Sequence, residues 1–112
     1  EFTVYKQAAA TAKRHSMSMG YWNYSDYINR DGTTPFDRFD DSDIEYMMAS
    51  ENIAKVDGNA VDVYIEWMKS PGSRSNIITD YMDNVGIGIV VGSSDGKAYV
   101  TMDFLKLKQQ NN

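Results

Sequence analysis

The segment NVGIGIVVGSSDGKAYVTMDFL, residues 84–105, constrains the fold of this chain more than any other. Val85, Ile87, Ile89 and Val91 share one face of an extended strand, and Ala98, Val100, Met102 and Phe104 share one face of a second. The five residues from Gly92 to Gly96 form a hairpin loop with glycine at each end. The glycines of VGIGIV let a neighbouring element come close to the first strand, which suits helix packing and a cleft equally. The fold expected is α+β: a three-layer α/β/α sandwich, with helices on both faces of a small antiparallel sheet that includes this hairpin.

Helical signals precede the hairpin. In EFTVYKQAAATAKRHSMSMG, Val4, Ala8, Ala12 and Met19 fall near one stripe at helical spacing, and Gly20 is the expected stop. YWNYSDYINRDGTTPFDRFDDSD reads as an irregular connection with a turn at Asp31-Gly32 and one short helix over Pro35 to Phe39. IEYMMASENIA, residues 44–54, is mostly apolar and ambiguous between helix and loop. From Asn59 to Lys69 a helix is expected, with Ala60, Val61, Tyr64, Ile65 and Met68 on its apolar face. Asn59 caps it, Asp62 suits the positive end of its dipole, and Pro71-Gly72 terminates it. Ser73 and Arg74 follow at a bend.

The chain has 112 residues, enough for one domain and one core; residues 1–107 read as that domain and 108–112 as a polar tail. The formal charge of −5 repels phosphate backbones, so no nucleic-acid partner is expected. With no cysteine there is neither a disulfide framework nor a thiolate metal site. No apolar run approaches the ~18–20 residues of a transmembrane segment, and the first residues lack the pattern of a signal peptide. The sequence reads as a soluble chain.

Few residues suggest catalysis. A serine nucleophile needs a base, and the one histidine, His15, lies on the first helix, where it reads as a partly exposed helix residue. SPGSRSN is not the nucleophile elbow G-x-S-x-G, and no catalytic residue is assigned. The EF-hand spacing also fails: with Gly32 as its sixth residue, the first ligand position falls on Tyr27. Asp37, Asp40, Asp41 and Asp43 read as a solvated acidic loop in which Asp37 or Asp40 pairs with Arg38 or Arg30. A looser calcium site built on loop carbonyls stays open.

Five strings, YSDYINRDGTTPFDR, SENIA, WMKSPGSRSNII, VGIGIVV and YVTMDF, stand in register over residues 20–104. Their order and spacing resemble the bacterial branch of the SCP-like extracellular domains. These belong to the CAP superfamily of cysteine-rich secretory proteins, antigen 5 and pathogenesis-related proteins. The resemblance implies a CAP/SCP-like sandwich on a secreted or surface-exposed bacterial protein. In many members two histidines and nearby acids line a cleft that holds a divalent metal, commonly zinc. Here Asp26 stands in place of one histidine and Ser73 in place of the other. Glu51 matches the acid, Ser70 stands where other branches carry a second glutamate, and Ser50 replaces the glycine of G-E-N-I-A.

The cleft implied by the resemblance is therefore Asp26, Glu51 and Ser73. Arg74 is a hydrogen-bond partner, Asn76 a cap for the turn after Ser73, and Arg38 a tie from the D-G-T-T-P loop to a carboxylate. Two carboxylates and a hydroxyl make a poor zinc site, so no cofactor is expected beyond a weakly held calcium or magnesium. Alternatively, Ser73 and Asp26 only bond to loop backbone and Arg74. Two functions follow. One is a non-enzymatic binding module for a small molecule, lipid, peptide or cell-wall component. The other is a hydrolase that uses Asp26 and Glu51 as acid and base, or a weakly bound cation.

Overall fold

The computed structural model describes residues 2–108. In chain order the elements are β1 (Thr3–Val4), α1 (Lys6–Trp22), α2 (Pro35–Asp41), β2 (Tyr46–Val56), α3 (Ala60–Lys69), α4 (Pro71–Ile78), β3 (Asn84–Val91) and β4 (Ala98–Leu107). The sheet has four strands in the order β1-β3-β4-β2. The expected hairpin is its centre: β3 and β4 pair antiparallel, with Val85 opposite Phe104 and Ile89 opposite Val100. β2 pairs antiparallel with the other side of β4, whereas the short β1 runs parallel to β3 through Thr3 and Val4. Of the expected polar tail, residues 109–112 lie outside the described residues.

Glycine decides which helix takes which face. A Cβ on Gly86 would sit 2.1 Å from the Ala9 nitrogen, and one on Gly88 2.2 Å from the Lys13 nitrogen. The glycines thus serve helix packing. Ala8 and Ala12 are fully buried in the contact, and Ser16 Oγ donates to the Gly88 carbonyl at 2.8 Å. Side chains alternate along a strand, so Val85, Ile87 and Ile89 face away from α1. On that opposite face Val63 and Trp67 of α3 pack against Ala54 and Val100. α1 with α2, the sheet, and α3 with α4 make the three layers.

Several local expectations shift. α1 continues through Gly20, where an added Cβ would meet Val90 and Tyr99 at 3.3 and 3.4 Å, and ends at Asn23, whose left-handed φ of 56° stops the helix. Residues 46–56 of the ambiguous segment are a strand, because the open side of β4 supplies hydrogen bonds that no local periodicity announces. α3 begins at the expected cap, where Asn59 and Asp62 form a reciprocal capping box. It buries Val63 and Trp67, while Val61, Tyr64 and Ile65 of the expected face stay exposed. Pro71 ends α3 and also opens α4, since proline fits the first turn of a helix.

The close α1 contact makes a direct prediction. Gly88→Ala is expected to lower stability in urea denaturation by about 1–3 kcal/mol or more, because backbone must move to admit the methyl. Gly72→Ala in α4 meets nothing within 4 Å and is expected to be neutral or to stabilise by up to ~1 kcal/mol. Equal effects from the two substitutions would contradict the packing described.

Candidate functional site

Glu51 lies in β2, directly across from Asp103 of β4, and its side chain points to the α1 side of the sheet. There α2 delivers its partner. Pro35 starts the helix, and Thr34 and Asp37 close a capping box, which leaves Arg38 facing inward. Arg38 Nη1 donates to Glu51 Oε2 at 2.6 Å and Nη2 to Oε1 at 2.9 Å, a bidentate pair with 9% and 1% of the two side chains exposed. The same guanidinium donates to Asn29 Oδ1 at 2.7 Å and to the Tyr27 carbonyl at 2.6 Å. The irregular loop is tied to the sheet through Arg38, for which the sequence offers Asp37 or Asp40 as ion-pair partner. Its partner is Glu51, however, because Asp37 is engaged by the cap and Asp40 lies on the exposed side of α2.

Asp103 and His15 complete this buried cluster. Asp103 is fully buried, and neither of its oxygens receives a hydrogen bond from an N–H or O–H group. Burial first, then the facing Glu51 carboxylate, raises its pKa well above the ordinary value; once protonated, Asp103 can donate to Glu51. His15 is 1% exposed, not partly exposed as its helix position suggests. Its Nε2 lies 2.7 Å from the Asp26 carbonyl, to which it donates, and Nδ1 has no partner. Burial, and then the nearby Arg38 charge, lower its pKa. A crevice of about 300 Å³ opens between α1 and α2, with His15, Arg14, Asn29, Arg38 and Asp41 among its lining residues.

The three cleft residues inferred from sequence do not converge. The Asp26 carboxylate is exposed and accepts from the Ile28 backbone N–H at 3.0 Å. Ser73 is buried in α4, on the other side of the sheet from Glu51. Its carbonyl accepts from Asn52 Nδ2 at 3.0 Å, and Asn76 Nδ2 donates to Asn52 Oδ1 at 2.8 Å. Asn76 therefore lies inside the helix and braces α4 against β2 instead of capping a turn. Ser70 precedes α4 without a side-chain cap bond, and Arg74 is exposed. Asn52, fully buried next to Glu51, was the brace that sequence reasoning passed over.

Beyond Asn52, the same layer holds a second feature. Between α3 and the β3–β4 face lies an open groove of about 390 Å³ whose walls include Val63, Tyr64, Trp67, Ile87, Ile89 and Val100. Trp67 Nε1 is already satisfied by the Ile53 carbonyl at 2.8 Å, so the indole offers the groove only its apolar surface.

Residues 2–104 match the pattern of the Cysteine-rich secretory protein family, CAP. The chain belongs to that family. It is 34% identical to YkwD of Bacillus subtilis over 84 residues, 75% of this chain and 33% of that protein. An extracellular protein containing a SCP domain from Bacillus anthracis superposes with a TM-score of 0.82 at 26% identity, covering 94% of this chain and 33% of that one. An outer surface protein of Borrelia burgdorferi shares the fold with a TM-score of 0.84 at 21% identity, over 96% of this chain and 79% of its own. The CAP domain thus spans about a third of the length of YkwD and of the Bacillus anthracis protein.

A divalent metal is the group the family implies, and its donors can be checked in this CAP domain. Both Glu51 oxygens are held by Arg38, Asp26 is turned to Ile28, and Ser73 sits across the sheet. Among the described residues no three His, Cys, Asp or Glu side chains gather as metal ligands. The donor set does not fit a metal.

Two outcomes check the buried cluster. Arg38→Ala leaves Glu51 buried without its partner and is expected to cost about 3–5 kcal/mol in urea denaturation. The pH dependence has two sides. His15 binds its proton less readily when folded, so stability falls as pH drops below the ordinary imidazole value of 6.5. Asp103 binds its proton more readily when folded, so its contribution, present below 3.8, is lost as pH rises toward the raised native value. Asp103→Asn is expected to be more stable than the parent at about pH 8, with the gap closing by about pH 4. A gap that does not narrow in acid would contradict this assignment of the proton.

Proposed function

We propose that this CAP domain is a non-enzymatic binding module, secreted or displayed at the cell surface, whose ligand is the hydrocarbon chain of a lipid held beneath α3. The observation that carries the reading is the groove itself: about 390 Å³, within the size range of small-molecule sites, with Asn59 and Tyr64 its only polar side chains other than the satisfied indole of Trp67. A peptide or a sugar brings polar groups that this lining cannot satisfy, whereas a hydrocarbon chain brings none. The Bacillus anthracis neighbour is an extracellular protein and the Borrelia burgdorferi neighbour an outer surface protein, which supports the location. No described helix is long and apolar enough to cross a membrane.

The hydrolase reading has less to stand on. Glu51 is engaged by Arg38 and the Asp26 carboxylate by the backbone, so the two do not form an acid–base pair around a shared substrate position. Brominated fatty acids provide the test, because bromine quenches tryptophan emission at contact. In a Trp22→Phe background, saturable quenching of Trp67 is expected, and Tyr64→Glu is expected to weaken binding about tenfold by placing a charge at the groove wall. Absence of saturable quenching would count against the lipid. Calorimetric binding of zinc at micromolar strength or tighter would point to a metal function instead.

A further inference from the structure

The two edges of the sheet are finished differently. Along β2, the Ile53 carbonyl accepts from Trp67 Nε1, Asn76 Nδ2 reaches the Glu51 carbonyl at 3.5 Å, and the pairing register shifts between Tyr46 and Met48. Charged Glu51 and Lys55 also interrupt that strand. Such devices keep an edge from recruiting other strands. The β3 edge has none of them. β1 covers it only at Asn84 and Val85. The Thr3 N–H donates to the Asp83 carbonyl and the Tyr5 N–H to the Val85 carbonyl, so odd-numbered residues of β3 aim their backbone groups outward. Ile87, Ile89 and Val91 therefore present N–H and C=O groups to an edge along which no described strand lies. Their side chains are 47%, 56% and 66% exposed, and VGIGIVV contains no charge and no proline.

We propose that this edge is an interface between two copies of the chain, with β3 pairing antiparallel to its counterpart across a twofold axis. The occupant follows from the strand's own chemistry. Antiparallel self-pairing places isoleucine, valine and glycine against one another with no like charges opposed, although the whole chain carries a net charge of −5. The pairing with β1 shows that the edge accepts a strand. A twofold axis perpendicular to the sheet joins two four-stranded sheets into one and keeps both α3 helices on the same face, so the two apolar grooves adjoin at Ile87 and Ile89. This inference rests on sheet topology and not on the identity of the groove's ligand.

Sedimentation equilibrium at rising concentration is expected to reach twice the 12.7 kDa of one chain, with hydrogen exchange slowing at the Ile87 and Ile89 amides as the dimer forms. Ile89→Lys and Val91→Lys set like charges across the axis and are each expected to raise the dissociation constant at least ~tenfold, with circular dichroism confirming the fold. Val91 does not line the groove, so its variant separates this interface from lipid binding. A monomer at every concentration up to the millimolar range overturns the proposal. So does a dimer whose Ile87 and Ile89 amides exchange freely, or one that folded lysine variants leave intact; either outcome would place the contact elsewhere. If neither variant folds, the exchange pattern of the unaltered chain decides alone.

Discussion

Glu51 needs a cation because it is buried, and the bidentate contact with Arg38 is the condition under which the α1 side of the sheet can close. Meeting it recruits much of the first half of the chain. The capping box of Thr34 and Asp37 sets α2, α2 aims Arg38, and the remaining guanidinium donors hold Asn29 and Tyr27 of a loop with little regular structure of its own. His15 holds the same loop from α1 through the Asp26 carbonyl. The cluster carries a conflict as well: Asp103 shares the low-dielectric space with Glu51, and one guanidinium faces both carboxyls. A retained proton on Asp103 relieves that conflict.

Alternation along β2 turns this arrangement into a division of labour. Glu51 points toward α1 and the adjacent Asn52 points toward α4, so consecutive residues brace opposite outer layers. The polar groups near Glu51 are largely engaged in holding the loop and α2, and those around Asn52 hold α4. α3 buries only Val63 and Trp67, and its packing leaves a groove over β3 and β4. The surface left open on that side is mostly apolar, with Ile87, Ile89 and Val100 among the groove's walls.

Much of the architecture was legible locally. The β3–β4 hairpin follows from alternation and a glycine-bounded loop, α2 from the break at Pro35, α3 from its cap, and the family from five strings in register. β2 was not, since its residues have no clear period and become a strand only because β4 has an unpaired side. The end of α1 was misplaced at Gly20 because glycine has two uses, and here close packing on Val90 and Tyr99 outweighs termination. The apolar face of α3 was misjudged for a related reason: both of its faces carry apolar residues, and contact with Ala54 and Val100 selects Val63 and Trp67.

The candidate site divides along the same line. Sequence alone carried the resemblance, which puts Asp26 and Ser73 where many family members have histidine and Glu51 at the family acid, and it offered Arg38 to a carboxylate, because the order and spacing of residues is a one-dimensional property. Only the tertiary structure decided which of them meet. The pleat sends Glu51 and Asn52 to opposite sides of one sheet, with Ser73 of α4 on the Asn52 side, a turn takes up the Asp26 carboxylate, and the pairing of β2 with β4 brings Asp103 to Glu51 from more than fifty positions away. Direction and distance in a folded chain depend on strand pairing and helix placement, and neither is encoded at the residues themselves.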